Sequence, residues 1–175
     1  MRGQQGKLKE TVALKQKYNC HLLVDESHGF GTVGKTGAGA GEEQGVQDDI
    51  DVYFSTFAKS MANIGAFVAA DKAIIDYMKY NLRSQMFAKA LPMIQTIGSL
   101  KRLELLRNSS ELKDKLWVNV NALQSGLRAR NFNIGDKNTC VTTVYLEGSV
   151  PGALIMVKEL RENCGIFLSI VCYPG

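Results

Sequence analysis

A chain of 175 residues with 45% hydrophobic and 22% charged side chains can bury a domain-sized core, and with only 3 prolines it is no disordered tail. Its 21 basic and 17 acidic residues are spread along the chain, so a net charge of +4 calls for no nucleic-acid footprint. No apolar run approaches a membrane span, and the N-terminal stretch has no signal core. The four cysteines form no C-x-x-C pair and there are two histidines, so a cytoplasmic protein with reduced thiols and no metal site is expected.

In chain order, Leu8 and Val12 mark one face of a helix predicted to end near Tyr18. The apolar run His21-Leu-Leu-Val-Asp25 fits a buried parallel strand. Residues 29–45 carry seven glycines and cannot form a regular helix. Two short strands follow, Val52 to Ser55 and Ala66 to Ala70, and then a helix from Lys72 to about Leu82.

Pro92 is placed to open a helix that continues through Ile94, Ile97, Leu100 and Leu103. Ser109-Ser110-Glu111 restarts helix, and Leu112, Leu116, Val120, Leu123 and Leu127 step along one predicted face. After a turn region from Asn131 to Asn138 come a strand from Thr142 to Leu146 and a helix from Pro151 to Asn163. Gly165 is placed to stop that helix before a last strand, Ile166 to Val171. The pattern predicts an α/β protein: a parallel-sheet region, long bridging helices, then the start of an α+β unit.

Two motifs invite an ATPase reading. Gly29-Phe-Gly-Thr-Val-Gly34-Lys35-Thr36 matches G-x-x-x-x-G-K-T, and Asp25-Glu26-Ser27-His28 matches D-E-x-H. A phosphate loop works because its lysine and threonine open a helix whose amides cradle the anion. Here Thr36 runs into Gly-Ala-Gly-Ala-Gly, and the two motifs crowd onto one loop instead of facing each other from separate strands.

Asp25 closes a predicted parallel strand, where α/β sheets bind ligands, although an aspartate there more commonly just caps the following turn. Lys59 lies in Ser55-Thr56-Phe57-Ala58-Lys59-Ser60; it is either a solvated loop charge or, if desolvated, a nucleophilic amine.

Together, Leu-Leu-Val-Asp25-Glu-Ser-His28-Gly-Phe-Gly, Gly34-Lys-Thr-Gly-Ala-Gly and Ser-Thr56-Phe-Ala-Lys59-Ser resemble the α-oxoamine synthase family. That resemblance runs through nearly the whole chain and implies the aspartate-aminotransferase-like (type I) fold of pyridoxal-phosphate enzymes. Residues 1–107 would be the C-terminal part of the large domain. Residues 108–175 would be a long helix and the beginning of the small α+β domain.

By the same resemblance, Asp25 would keep the pyridine nitrogen of pyridoxal 5'-phosphate protonated, and His28 would hydrogen-bond its phenolic oxygen. Lys59 would hold the cofactor covalently and later remove the substrate α-proton, and Thr56 would contact the phosphate. The implied reaction condenses an amino acid with an acyl-CoA and releases CoA, with glycine C-acetyltransferase slightly preferred over serine palmitoyltransferase. An aminotransferase of the same fold, and a piece that does no chemistry alone, are the competing readings. A homodimer with a shared active site is implied for the full-length protein.

Three departures matter. Ala62 and Ala66 stand where the family commonly has glycine, which predicts mild backbone crowding. In Phe87-Ala88-Lys89-Ala90-Leu91-Pro92, relatives usually carry hydroxyls that reach the partner's cofactor phosphate. Ala88 has none, so Lys89 is either a substitute phosphate ligand across the dimer or a surface lysine. Finally, Met1-Arg2-Gly3 resembles the inside of the family's S-M-x-G segment, which reads the chain as an internal piece.

Overall fold

The computed structural model describes residues 3–108, 110–136 and 139–171. The segment around Met1, the Ser109 start of a helix, part of the 131–138 turn and Cys172 lie outside the described residues.

Helix α1 (Leu8–Tyr18) forms as predicted and ends at Asn19, which takes a left-handed φ of 48° and lets the Cys20 amide reach the Lys15 carbonyl. Leu8 and Val12 are its buried residues. They pack with Ala40 and Val46, against half-buried Leu22 and Val24, into the main apolar cluster. Truncating a buried leucine such as Leu8 to alanine costs about 2–5 kcal/mol. The entry to α1 is held by Gln44, whose Oε1 accepts from the Leu8 amide and whose Nε2 donates to the Gly6 carbonyl.

Three strands form one sheet in the order β1 (Leu23–Asp25), β2 (Val52–Thr56), β3 (Ala66–Ala70). β1 and β2 run parallel, with Asp25 beside Phe54. β2 and β3 are antiparallel, with Thr56 opposite Ala66, which corrects the expectation of a purely parallel region. The connection, residues 57–65, is a tight loop too short for the dozen-residue crossover that a parallel neighbour requires. β1 is also shorter and less buried than predicted: His21 lies outside it and Leu23 is 58% exposed.

Side chains alternate across this sheet. Val24, Tyr53, Ser55 and Phe67 share the face covered by α1 and the glycine-rich segment. Phe67 stacks on Tyr53 and Phe57 and meets Phe30 edge-on, with centroids 5.3–5.8 Å apart, while Tyr53 donates to the Ala38 carbonyl. On the other face, Phe54, Val68, Ile75 and Met78 line an apolar groove of about 570 Å³.

Within the glycine-rich stretch a single turn, α2 (Ala40–Glu43), is the only helix longer than three residues. Beyond the sheet come α3 (Lys72–Asn81), α4 (Arg83–Met86), α5 (Met93–Asn108), α6 (Glu111–Ala129) and α7 (Val150–Cys164). Helix α7 stops at Gly165 as predicted and is capped at its start by Ser149. The Ser149 hydroxyl accepts from the Gly152 amide, Pro151 sits in the first turn, and Gly165 is left-handed at φ 65°.

Two predicted strands are not formed. In Thr142 to Leu146 the Tyr145 amide donates to the Asn133 carbonyl but no ladder forms among the described residues, and Ile166 to Val171 has no ladder partner among them either. A strand exists only as half of a pair, and neither segment has a paired neighbour among the described residues. The face predicted for α6 holds in part, with Leu116 and Leu127 half-buried. Val120 and Gln124 are buried, whereas Leu112 and Leu123 are 71% and 54% exposed. No described helix is long and apolar enough to cross a membrane.

Candidate active site

β1 and β2 run side by side in one direction, so Asp25 and Thr56 finish at the same, carboxyl end of the sheet. The chain leaves β1 through an Asx turn in which the Ser27 amide donates to Asp25 Oδ1 at 2.9 Å. The Ser27 side chain hydrogen-bonds the same carboxylate, and its Oγ accepts the Thr56 amide at 3.2 Å, tying the ends of the two strands together. Hydrogen bonds from Ser27 hold the Asp25 pKa below the ordinary aspartate value against partial desolvation, with help from the positive charges of Lys59 and His28.

His28 follows three residues after Asp25. Partial desolvation, and then the charge of Lys59, lower its pKa, and Asp25 offsets only part of this. The imidazole is therefore neutral at pH 7 and able to donate one hydrogen bond. Asp25 and His28 are exposed, and both line a cavity of about 210 Å³ with Gln4, Gln5, Val33 and Thr139.

Lys59 sits in the 57–65 loop, which is closed by bonds from the Phe57 amide to the Gly65 carbonyl, from Asn63 to Phe57 and from Ala62 to Lys59. Asn63 Nδ2 also reaches the Gln95 carbonyl and Ser99 Oγ, anchoring the loop to α5. The crowding predicted at Ala62 takes the form of a left-handed φ of 43°, whereas Ala66 lies in β3 without strain. Thr56 Oγ1 donates to the Gly65 carbonyl and accepts from the Ala58 amide, so it first serves the loop itself.

The structure thus gathers Asp25, His28, Thr56 and Lys59 at one end of the sheet. Lys89 is exposed between α4 and α5, and no hydrogen bond or ion pair joins it to those four among the described residues. Sequence reading allowed Asp25 to cap the following turn but missed Ser27 as its partner; an aspartate at a strand end commonly accepts from the amide two residues on.

The segment that mimics a phosphate loop is already occupied by a carboxylate of the chain. Glu42 accepts from the Thr36 amide at 3.0 Å and the Ala38 amide at 3.1 Å. Burial opposes its ionisation, but these amides and Lys113 hold its pKa below the ordinary glutamate value. A second carboxylate, the buried Glu26, accepts from the Gly41 amide. A Cβ on Gly39 would stand 2.4 Å from Glu26, at a φ of 105° that suits glycine alone, so Gly39 is where one added methyl group would break the loop.

These residues fit a pyridoxal phosphate. An ionised carboxylate, a neutral imidazole and a primary amine interact across one strand end, and the cavity beside the first two is open. No group of three or more potential metal ligands occurs among the described residues.

The family model for aminotransferase class I and II matches residues 3–175. The chain belongs to that family, in its α-oxoamine synthase branch. Over 99% of its length it is 67% identical to the cysteate-C-fatty acyltransferase of Capnocytophaga ochracea, covering 41% of that protein. It is 33% identical over its whole length to the serine palmitoyltransferase of Bacteroides thetaiotaomicron, covering 44% of it. Among solved structures, serine palmitoyltransferase from S. paucimobilis with PLP and myriocin bound superposes with a TM-score of 0.89. It is 31% identical, over 97% of this chain and 44% of that one. The chain spans about two fifths of the length of the curated relatives it matches. The type I fold and the pyridoxal-phosphate dependence of the branch, expected from the motifs, hold.

Proposed function

We propose that the protein carrying this chain condenses an amino acid with a long-chain acyl-CoA, and that the amino acid is cysteate or a close acidic analogue. The observation that carries the choice of substrate is the 67% identity to a protein named cysteate-C-fatty acyltransferase, twice the 33% shared with a serine palmitoyltransferase. The glycine C-acetyltransferase branch slightly preferred from the motifs has no comparable support.

In this reading the ionised Asp25 holds a proton on the cofactor ring nitrogen, which its depressed pKa allows at neutral pH. His28, kept neutral, donates to the ring's phenolic oxygen. When bound, pyridoxal phosphate supplies an electron sink for charge that develops at the amino-acid α-carbon. Lys59 Nζ would hold the cofactor and would take the proton from the substrate α-carbon. The C–C bond forms at the thioester carbonyl as its C–S bond breaks, and the CoA sulfur leaves as a thiol. Thr56 contributes to the phosphate site, and Lys89 reaches a phosphate across a homodimer. Residues 1–107 belong to the large cofactor domain and 108–175 begin the small one.

The test is thiol release by the full-length protein from palmitoyl-CoA with L-cysteate, L-serine or glycine, and from acetyl-CoA with glycine. Palmitoyl-CoA with cysteate is expected to be fastest by at least tenfold. Preference for glycine with acetyl-CoA would return the assignment to the other branch, and no thiol release with any pair would favour transamination.

A further inference from the structure

Helix α6 lies outside the residues that the motif assigns to chemistry, yet two of its side chains grip the loop that follows His28. Trp117 Nε1 donates to the Thr32 carbonyl at 2.7 Å. One turn earlier on the same face, Lys113 Nζ donates to the Gly34 carbonyl at 2.8 Å and also to the Lys35 carbonyl. These contacts join residues about 80 positions apart.

What they hold is connected to both working side chains. Thr32 Oγ1 donates to the carbonyl of His28 itself at 2.8 Å, so the indole and the histidine backbone share one residue between them. Gly31, the residue before Thr32, has its amide on the Gly37 carbonyl at 2.7 Å. A Cβ on Gly31 would stand 2.7 Å from the Ser60 Cβ, so the loop lies directly against the neighbour of Lys59. Lys113 also faces Glu42, whose carboxylate holds the Thr36 and Ala38 amides from the other side. Carbonyls of the loop thus point to a cation on α6 and its amides to a carboxylate, which fixes its peptide planes from both sides.

We propose that Lys113 and Trp117 are positioning residues that set the His28 backbone through Thr32 and the Lys59 loop through the Gly31–Ser60 contact. The inference rests on the reading of Asp25, His28 and Lys59 given above. Because α6 also binds the segment after it, through Gln124 to the Thr139 carbonyl and Thr142 Oγ1, the same helix mechanically links residues 139–142 to the cofactor end of the sheet.

The experiment compares the full-length wild type with Trp117→Phe, Lys113→Met and Lys113→Arg, with Lys115→Met at an exposed position of the same helix as control. Hydrogen exchange at residues 29–37 is expected to speed up about tenfold in Trp117→Phe and Lys113→Met but not in β2. The pH midpoint of the cofactor's visible band is expected to move in both. The kcat should fall about tenfold with KM for the acyl-CoA within twofold, since misplacement costs rate before it costs binding. Lys113→Arg should restore all three. Unchanged loop exchange, or a loosened loop with an unmoved band and kcat, would overturn the inference. Should Trp117→Phe fail to fold, the Lys113 pair decides alone. A wild type with no visible band would instead sink the functional reading, which the loop exchange does not depend on.

Discussion

The Ser27 amide lies 2.9 Å from Asp25 Oδ1, and the serine hydroxyl binds the same carboxylate while accepting the Thr56 amide. One small buried residue therefore both keeps the aspartate ionised and registers β1 against β2. Ser27→Ala leaves the amide bond but removes the hydroxyl, so the Asp25 pKa should rise toward the ordinary value. The acid limb of activity should move to higher pH, and pyridoxal phosphate should bind about fivefold more weakly, the loss of one hydrogen bond to a charged group that is itself partly solvated. Spectroscopic titration of the full-length variant checks this, and an unmoved acid limb would remove Ser27 from the site.

Ala62 occupies a left-handed backbone conformation in the loop that carries Lys59. Replacing it with glycine removes the Cβ penalty, partly offset by greater freedom of the unfolded chain, for a net gain of about 0.5–1 kcal/mol. A thermal melt of the full-length variant should rise by about 1 °C. A lower melting temperature would mean that the alanine methyl packs usefully.

Glu42 has a depressed pKa in the folded state, so its contribution is complete above the unfolded-state value near 4.5 and fades as pH falls through the folded value. The amides of Thr36 and Ala38 should lose hydrogen-exchange protection in that acidic window. Glu42→Gln should remove the pH dependence and leave protection lower at neutral pH. If protection persists unchanged well below pH 4, Glu42 does not anchor the loop.

Lys89 is exposed in the segment between α4 and α5, where Leu91 packs onto Gly65 at the end of the lysine loop. If Lys89 serves a phosphate in the partner subunit, Lys89→Ala weakens cofactor binding about fivefold without changing the dimer. Equilibrium dialysis of the full-length dimer measures it, and unchanged affinity would assign Lys89 to the solvated surface.

Much of this was legible before any coordinates. Helical periodicity at Leu8 and Val12 and the glycine after α7 depend on local chemistry and placed α1 and the end of α7 correctly, and the motif residues from Asp25 to Lys59 meet at one end of the sheet. What failed depends on partners distant in sequence. Thr142 to Leu146 and Ile166 to Val171 have β-type composition but no paired strand among the described residues, and the antiparallel turn of β3 follows from a loop length that motif reading does not weigh. The grip of Trp117 on Thr32 spans 85 positions, and a half-buried Trp on α6 looks in sequence like part of any amphipathic helix.

In the proposed function the Lys59 amine bears the cofactor at the strand end shared with Asp25. Borohydride reduction of the pyridoxal-phosphate-loaded full-length protein, followed by peptide mass mapping, tests it directly. A pyridoxyl phosphate mass on the peptide containing Lys59, absent in Lys59→Ala together with the visible band, is the predicted result. The same mass on a peptide containing Lys35 or Lys89 instead, or a colour that survives Lys59→Ala, would contradict it.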